Sequence, residues 1–314
     1  MNTAARVENG WSIVLAAGEG ERLKPFVRTW LGYEKPKQFC TFIGTRSLLQ
    51  HTLDRADKVT PPLQKITLIA GDHWRRGWVR GLSERDGRIL VQPRNRGTAA
   101  AIFLALTYIR RTAPHASVVL FPSDHFVSPE ERFVDIVRAG FEATEILARR
   151  LILLAVPASR PDLDYGFIQV GHDLGQVRGH RLIAAAHFWE KPKLEGGRQA
   201  LESGALWNTL IMISKVDFLW TLGERCFPML IRHLEEFTSK IGTPAEEGAL
   251  ETLHRRIPYN DFSSELLGTL PEKIAVLELN GVLWSDWGRP ERILETLAAI
   301  GRAPASALAR AATA

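Results

Sequence analysis

Short apolar runs alternate with segments of helical periodicity through the first half of the chain. The apolar runs, which we predict to be buried strands, are Ser12–Ala16, Lys65–Ala70, Ile89–Val91, Val118–Phe121 and Leu151–Val156. The segments between them that we predict to be helices are Ser47–Ala56, Thr98–Arg111 and Glu131–Arg149. This alternation indicates an α/β fold, with a Rossmann-like, mostly parallel sheet flanked by helices on both faces.

The connections become longer and less regular after Pro157. The further strands predicted there are Gly166–Val170, Arg181–Trp189 and Leu206–Ser214, and residues 216–270 are mainly helical with prolines as breaks. Because no linker rich in Gly, Ser or Pro divides the chain, we expect a single domain over residues 1–302.

The last predicted strands flank a favoured turn sequence. Ile274–Leu279 and Val282–Trp284 lie on either side of Asn280-Gly281, which predicts a β-hairpin. A closing helix is predicted at Arg289–Ile300, and residues 303–314, which lack a hydrophobic pattern, are expected to be a flexible tail.

Composition narrows the class of protein without naming a function. Hydrophobic residues make up 45% of the 314 residues and charged residues 24%, which is typical of a globular protein. The net charge of +5 is too small to indicate a nucleic-acid partner, but it suits a protein that binds small anions. The apolar runs are too short to span a bilayer, and Cys40 and Cys226 form no metal motif. We therefore expect a cytoplasmic protein with reduced thiols and no membrane partner.

The clearest local motif follows the first predicted strand, in the sequence Leu15-Ala-Ala-Gly-Glu-Gly-Glu-Arg-Leu-Lys-Pro25. Gly18 and Gly20 allow backbone N–H groups to approach an anion, and Arg22 adds a forked cation that suits phosphate oxygens. A dinucleotide fingerprint is weakened because position 23 is Leu instead of a third glycine. A Walker loop is excluded because no Gly-Lys-Ser/Thr follows, which leaves a phosphate loop or a plain turn.

Two further segments carry residues suited to phosphate chemistry. Lys37, in the sequence Lys35-Pro-Lys-Gln-Phe39, is a second candidate phosphate cation, although a loop lysine is often only solvated. Asp124 follows the fourth predicted strand, where ligands bind in open α/β sheets, and a carboxylate there suits Mg²⁺. Alternatively, Asp124 has a purely structural role, as a turn residue or a helix N-cap.

Together these motifs resemble the sugar-phosphate nucleotidyltransferase family, and most closely its mannose-1-phosphate guanylyltransferase branch. The first loop resembles the family's LAGGxGxRLxP, and PKQF follows it. Further matching segments, in the family's order, are Gln92–Ile102, Phe121–His125, Tyr165–Ile168, Glu190–Pro192, Trp207-Asn208 and Trp284–Gly288. The resemblance covers roughly residues 11–300, and the ordered set is more specific than any one motif.

The resemblance implies transfer of a nucleotidyl group from an NTP, by preference GTP, to a sugar 1-phosphate, by preference mannose 1-phosphate, with Mg²⁺ as cofactor. It implies a nucleotide-binding half at 11–156 and a sugar-phosphate-binding half at 157–302, and a homodimer is possible. We expect this chain to lack the C-terminal β-helix that many members of the family carry, and its charge predicts no nucleic-acid partner. The implied roles are catalysis by Arg22 and Lys37; metal binding by Asp124 and Asp286; nucleotide binding by Ala16, Ala17, Gly18, Glu19, Gly20, Gln92, Pro93, Gly97 and Thr98; and sugar-phosphate binding by Tyr165, Gly166, Glu190, Lys191 and Asn208.

Some positions depart from the family pattern and keep two alternatives open. Ala17 replaces a glycine, Glu21 replaces a small hydroxyl residue, and Leu210 replaces the glycine after Trp-Asn-Ser. These changes motivate an inactive paralogue that binds a nucleotide sugar and regulates a partner. A metal-dependent glycosyltransferase would require an Asp-x-Asp motif, and the only such spacing is Asp162-Leu-Asp164, after a proline loop. The longer Pro25–Lys37 segment also leaves open whether Lys35 or Lys37 is catalytic.

Overall fold

The computed structural model describes residues 6–79, 81–82 and 84–302. The strands are β1 Gly10–Ala16, β2 Lys65–Ala70, β3 Arg88–Gln92, β4 Ser117–Pro122, β5 Phe126–Ser128, β6 Leu151–Pro157, β7 Gly166–Val177, β8 His180–Glu190, β9 Leu206–Lys215, β10 Ile274–Glu278 and β11 Leu283–Ser285. The α-helices are α1 Lys24–Leu31, α2 Leu48–Val59, α3 Gly71–Arg75, α4 Gly97–Thr112, α5 Glu130–Ile146, α6 Leu194–Glu202, α7 Val216–Cys226, α8 Pro228–Thr238, α9 Glu246–Arg256 and α10 Pro290–Ala299. The predicted tail 303–314 lies outside the described residues.

Nine of the described strands form one central sheet in the order β3-β2-β1-β4-β9-β6-β10-β8-β7. Seven of them run in one direction, whereas β8 and β9 run in the opposite direction. The predicted mostly parallel α/β class is therefore confirmed. The described residues contain no β-helix and no helix long and apolar enough to cross a membrane.

Helices cover both faces of this sheet because each face presents apolar side chains. On one face, Phe103 of α4 is wholly buried against Trp220, Phe227 and Phe262 from the helical segment after β9. On the other face, α2 and α5 pack against side chains such as Phe121 of β4. The apolar runs that predict the strands are thus buried on two sides, as in other sheets of this class.

The predicted hairpin at Asn280-Gly281 is wrong. Residues Ile274–Glu278 enter the central sheet, parallel to β6 and antiparallel to β8. Residues Leu283–Ser285 instead pair with Phe126–Ser128 in a separate two-stranded sheet. The run at 274–278 is almost entirely buried, so it gains more from two neighbouring strands in the core than from a hairpin partner at the surface.

Strand β9 contains a bulge at the position where the family pattern has a glycine. Asn208 pairs with Ala155 and Ile211 pairs with Leu154, so Thr209 and Leu210 both lie between consecutive partners. Leu210 has φ of 59°, a left-handed conformation that costs a side chain with a Cβ about 1–2 kcal/mol. The backbone therefore keeps the glycine conformation although the residue is leucine.

This bulge gives a prediction on stability. Leu210→Gly and Leu210→Ala lose the same leucine packing, but only glycine relieves the left-handed strain. We expect the glycine variant to be the more stable of the two by about 1 kcal/mol in urea unfolding. At Ile89, in the regular strand β3, the same pair of substitutions should give the reverse order, with alanine more stable. A more stable alanine variant at position 210 would contradict the proposed strain.

Candidate active site

The small sheet formed by β5 and β11 positions two aspartates of the candidate site. Ser285 pairs with Phe126 in antiparallel register, so Asp124, just before β5, and Asp286, just after β11, lie at the same end of this sheet. Asp124 also follows β4, at the carboxyl edge of the central sheet. Because β11 pairs with β5 and not with residues 274–279, Asp286 is brought to the same end of the small sheet as Asp124.

Lys37 lies between these two aspartates and is 7% exposed. Its Nζ is 3.0 Å from Asp124 Oδ2 and donates a hydrogen bond of 2.5 Å to the backbone carbonyl of Asp286. The neighbouring Gln38 donates to the carbonyls of Ala16 and Gly18, at 3.1 and 2.8 Å. The PKQF segment therefore joins the carboxylates to the glycine loop. Among the described ion pairs, those of Asp124 involve Lys37 and His125, and Lys35 takes part in none.

Asp286 is almost buried, and three donors hold one of its oxygens. Its Oδ1 accepts from Tyr165 Oη at 2.8 Å, from Arg292 Nη1 at 2.8 Å and from the backbone N–H of Gly288 at 3.0 Å. Burial by itself would raise the pKa of Asp286, but Lys37 and Arg292 outweigh it and hold that pKa far below its usual range. The carboxylate therefore stays charged at neutral pH, and its second oxygen is left for another partner.

Gly288 allows this crowded arrangement. A Cβ at this position would lie 2.5 Å from Asp286 Oδ2 and 3.1 Å from Arg22 Nη2. The glycine after the second aspartate is thus required by the close approach of an aspartate and an arginine.

Arg292, on the closing helix α10, connects three carboxylates from inside the protein. Its side chain is 3% exposed and contacts Asp162 at 2.6 Å, Asp164 at 2.9 Å and Asp286 at 2.8 Å. Its guanidinium also lies 4.4 Å from the ring centre of Tyr165. Asp162 and Asp164 are therefore bound by arginine, which argues against the Asp-x-Asp metal motif of a glycosyltransferase.

Arg22 lies at the outer side of this cluster and is half exposed. It pairs with Asp164 at 2.8 Å and lies 3.7 Å from Asp286 Oδ2. The preceding Glu21 is 71% exposed and pairs with Lys24 at 2.5 Å. The charge of Glu21 is thus turned outward, away from the aspartates that Arg22 contacts.

A cavity of about 110 Å³ lies beside the glycine loop. The sequence-predicted nucleotide-binding residues that line it are Ala17, Glu19, Gln92 and Pro93, and the other lining residues are Ala70, Gly71, Asp72, Arg94 and Asn95. Thr98 is placed differently, because its hydroxyl contacts Asp261 at 3.2 Å and accepts from the backbone of Phe262 at 2.8 Å. Gly97 likewise abuts Asn260, so these two residues fix the start of α4 against the segment 260–262.

The predicted sugar-phosphate residues meet where β7, β8 and β9 are adjacent. A Cβ on Gly166 would lie 2.9 Å from Glu190 Oε2 and 3.5 Å from the Asn208 side chain, so the three residues are in contact. Burial raises the pKa of Glu190, although Lys191 opposes the change from 3.2 Å. Lys191 itself is 61% exposed, so solvent reaches its ammonium group.

Sequence reasoning missed the roles of Arg292 and Asp164. Arg292 is one of several arginines in the chain and sits in an ordinary amphipathic helix, so no local pattern marks it as buried. In the sequence, Asp164 is notable only as part of the Asp-x-Asp spacing at 162–164. Only the folded structure reveals their roles, because α10 and the loop before β7 are far apart in the sequence and come into contact on folding.

The Arg292 cluster predicts a pH-dependent loss of stability. Arg292→Met leaves three neighbouring carboxylates without their buried counter-charge, which we expect to cost about 3–5 kcal/mol of unfolding free energy at pH 7. Because Arg292 helps to depress the pKa of Asp286, the stabilisation that it provides exists above the unfolded pKa of aspartate and disappears as the pH falls. The difference from wild type should therefore be largest above about pH 4 and shrink as the pH falls below that value. Urea unfolding at several pH values measures it, and a pH-independent difference would contradict the ionic origin.

The chain is similar in sequence to proteins of a known family. Residues 11–302 match the family described as Nucleotidyl transferase. The mannose-1-phosphate guanylyltransferase of Salmonella montevideo is 29% identical over 214 residues, which are 65% of this chain and 43% of that protein. That of Salmonella typhimurium is 28% identical over 233 residues, covering 72% of this chain and 44% of the relative. The chain thus spans less than half the length of these relatives.

Solved structures share the fold. A protein described as mannose-1-phosphate geranyltransferase, from Thermus thermophilus, superposes with a TM-score of 0.75 at 23% identity, covering 91% of this chain and 79% of that one. A UDP-glucose pyrophosphorylase in complex with UDP-glucose gives a TM-score of 0.55 at 14% identity, covering 95% and 99%. With the family match over nearly the whole chain, these comparisons lead to one conclusion: this protein belongs to the nucleotidyl transferase family.

Proposed function

We propose that the protein transfers a guanylyl group from GTP to mannose 1-phosphate and releases pyrophosphate. The observation that carries this proposal is the position of Lys37 between Asp124 and Asp286, next to Arg22 and the glycine loop. Such a cluster suits a reaction in which two polyanions must be brought together and their charge neutralised. The choice of guanine and mannose is supported by the names of the relatives, which cover 63–72% of this chain.

The residues present fit a divalent cation. Mg²⁺ is commonly held by one or two carboxylates together with substrate phosphates, and the described residues contain no group of three or more His, Cys, Asp or Glu that could hold a metal by themselves. The Lys37 ammonium already occupies a cation position against Asp124. We propose that Asp124 and Asp286 hold Mg²⁺, which supplies charge neutralisation on phosphate oxygens when it is bound.

In the proposed reaction, an oxygen of the sugar phosphate forms a bond to the α-phosphorus of the NTP. The bond between that phosphorus and the bridging oxygen of pyrophosphate breaks, and pyrophosphate leaves with the electron pair. Lys37 neutralises charge near the attacked phosphorus, and Arg22, being half exposed, can exchange Asp164 for the leaving phosphates. We assign nucleotide binding to residues 11–156 and sugar-phosphate binding to 157–302, where Glu190 and Asn208 meet at Gly166.

The structure weakens two reasons for the alternative of an inactive regulatory paralogue. Glu21 is turned outward and paired with Lys24, so it need not repel the triphosphate. Leu210 adopts the backbone conformation of the glycine that it replaces, so the bulge that positions Asn208 is retained. Retention of both carboxylates and both cations favours catalysis.

Pyrophosphate release tests the proposed activity directly. We expect turnover with GTP, mannose 1-phosphate and Mg²⁺ to exceed that of the other pairs when four NTPs are combined with several hexose 1-phosphates. Asp124→Asn should reduce the rate about a hundredfold or more, because one carboxylate of the cation site is neutralised. Asp124 is 30% exposed, so the variant should keep its melting temperature. No turnover with any pair, or normal turnover by the variant, would contradict the proposal.

The two lysines of the PKQF region provide a matched comparison. Lys37→Met should reduce turnover about a hundredfold or more, because the buried ammonium beside Asp124 is lost. Lys35→Met removes the same charge two residues away and should change turnover less than about threefold, since Lys35 takes no part in the described ion pairs. Initial rates of both variants, measured with Mg²⁺ in excess, show which of the two lysines is catalytic. The reverse order of effects would assign the catalytic role to Lys35.

A further inference from the structure

Glu19 lines the cavity beside the glycine loop and keeps acceptor capacity there. Its side chain is 39% exposed, and the basic side-chain nitrogens near its carboxylate are His73 Nε2 at 3.7 Å and Lys24 Nζ at 4.0 Å. Lys24 has a closer partner in Glu21, at 2.5 Å. Neither contact is a close ion pair, so the carboxylate can still accept hydrogen bonds from a ligand.

The buried, uncharged side chain of His73 packs behind this carboxylate. The ring is fully buried and is packed against Phe39 and Trp78, with ring centres 5.3 and 5.5 Å away. Burial lowers the pKa of His73 below its ordinary value, so the imidazole is uncharged at neutral pH. The negative charge of Glu19 is therefore not cancelled from behind.

Gln92 lines the same cavity and has an unsatisfied donor. The residue is 4% exposed, and its Nε2 is buried without a hydrogen-bond partner among the described residues. An unpaired buried donor of this kind is uncommon in native proteins, because it costs about 1–3 kcal/mol. Other buried side chains of the described residues also have unpartnered atoms, but Gln92 is the one among them that lines this cavity, where a ligand can bring an acceptor.

We infer that Glu19 and Gln92 read the Watson–Crick edge of guanine, with Glu19 as the residue that sets base specificity. This inference rests on the proposed function. The Gln92 amide donates to O6 of the base, and the Glu19 carboxylate accepts from N1–H and from the 2-amino group. Guanine presents two adjacent donors beside an acceptor, which matches a carboxylate beside an amide donor.

The other bases fit this pair of side chains less well. Adenine and cytosine place an unprotonated ring nitrogen beside their amino group, and this nitrogen would face the carboxylate as a second acceptor. Uracil and thymine offer one N–H between two carbonyl oxygens, so one of these oxygens would be repelled by Glu19. A site with buried polar groups rejects ligands that leave those groups unpaired.

Nucleotide binding to the full chain, measured by titration calorimetry with Mg²⁺, tests this inference. Wild type should bind GTP at least about tenfold more tightly than ITP, which lacks only the 2-amino group. In Glu19→Gln this preference should fall to about threefold or less. The glutamine amide can instead donate to the carbonyl oxygen at C2 of XTP, so binding of XTP should become about tenfold tighter than in wild type. This gain cannot arise from misfolding.

Two variants serve as controls. Glu34→Gln removes an equal charge from an exposed loop and should leave the GTP to ITP ratio unchanged. Asp72→Asn changes the other carboxylate that lines the cavity, which already pairs with Arg75, and should also leave the ratio unchanged. A change of base preference in Asp72→Asn but not in Glu19→Gln would overturn the inference. Equal affinity of wild type for GTP and ITP would also overturn it and would leave the proposed function intact, whereas failure to bind any NTP would defeat both.

Discussion

Asp286 is a buried carboxylate that stays ionised because Lys37 and Arg292 flank it. Taking a carboxylate out of water is unfavourable unless it is paired and hydrogen-bonded, and here Tyr165 and the Gly288 N–H complete its contacts. The remaining features of the site follow from this requirement. The buried arginine ties the closing helix to the loop before β7, so the second half of the chain is anchored at the same point as the proposed metal site.

Two structural features bring this charged centre to the edge of the central sheet. The small β5–β11 sheet aligns the two aspartates, and Gln38 joins the lysine segment to the glycine loop. Both features cross between distant parts of the sequence, so the site forms only when the two halves of the chain are packed together. The glycine conformation of Leu210 indicates that the bulge beside Asn208 is maintained even at the cost of strain.

The alternating pattern of the sequence predicted the α/β class, and the resemblance to a known family assigned Arg22, Lys37, Asp124 and Asp286 to one site, where the structure brings them together. The sequence did not predict the partner of β11, since Asn280-Gly281 is a favoured hairpin turn and only the burial of residues 274–278 decides against it. It also missed Arg292, whose burial depends on carboxylates about 130 residues away. The placement of Thr98 against residues 261–262 likewise depends on a distant contact.

The central claim is that Asp124 and Asp286 form one cation site with substrate phosphates. A crystal structure of the protein with Mn²⁺ and a non-hydrolysable GTP analogue, with anomalous data collected for manganese, tests it most directly. We expect an anomalous peak in contact with both carboxylates and a phosphate oxygen, with the Lys37 ammonium moved toward the phosphates. A peak on the phosphates alone, with Lys37 still bound between Asp124 and the Asp286 carbonyl, would contradict it.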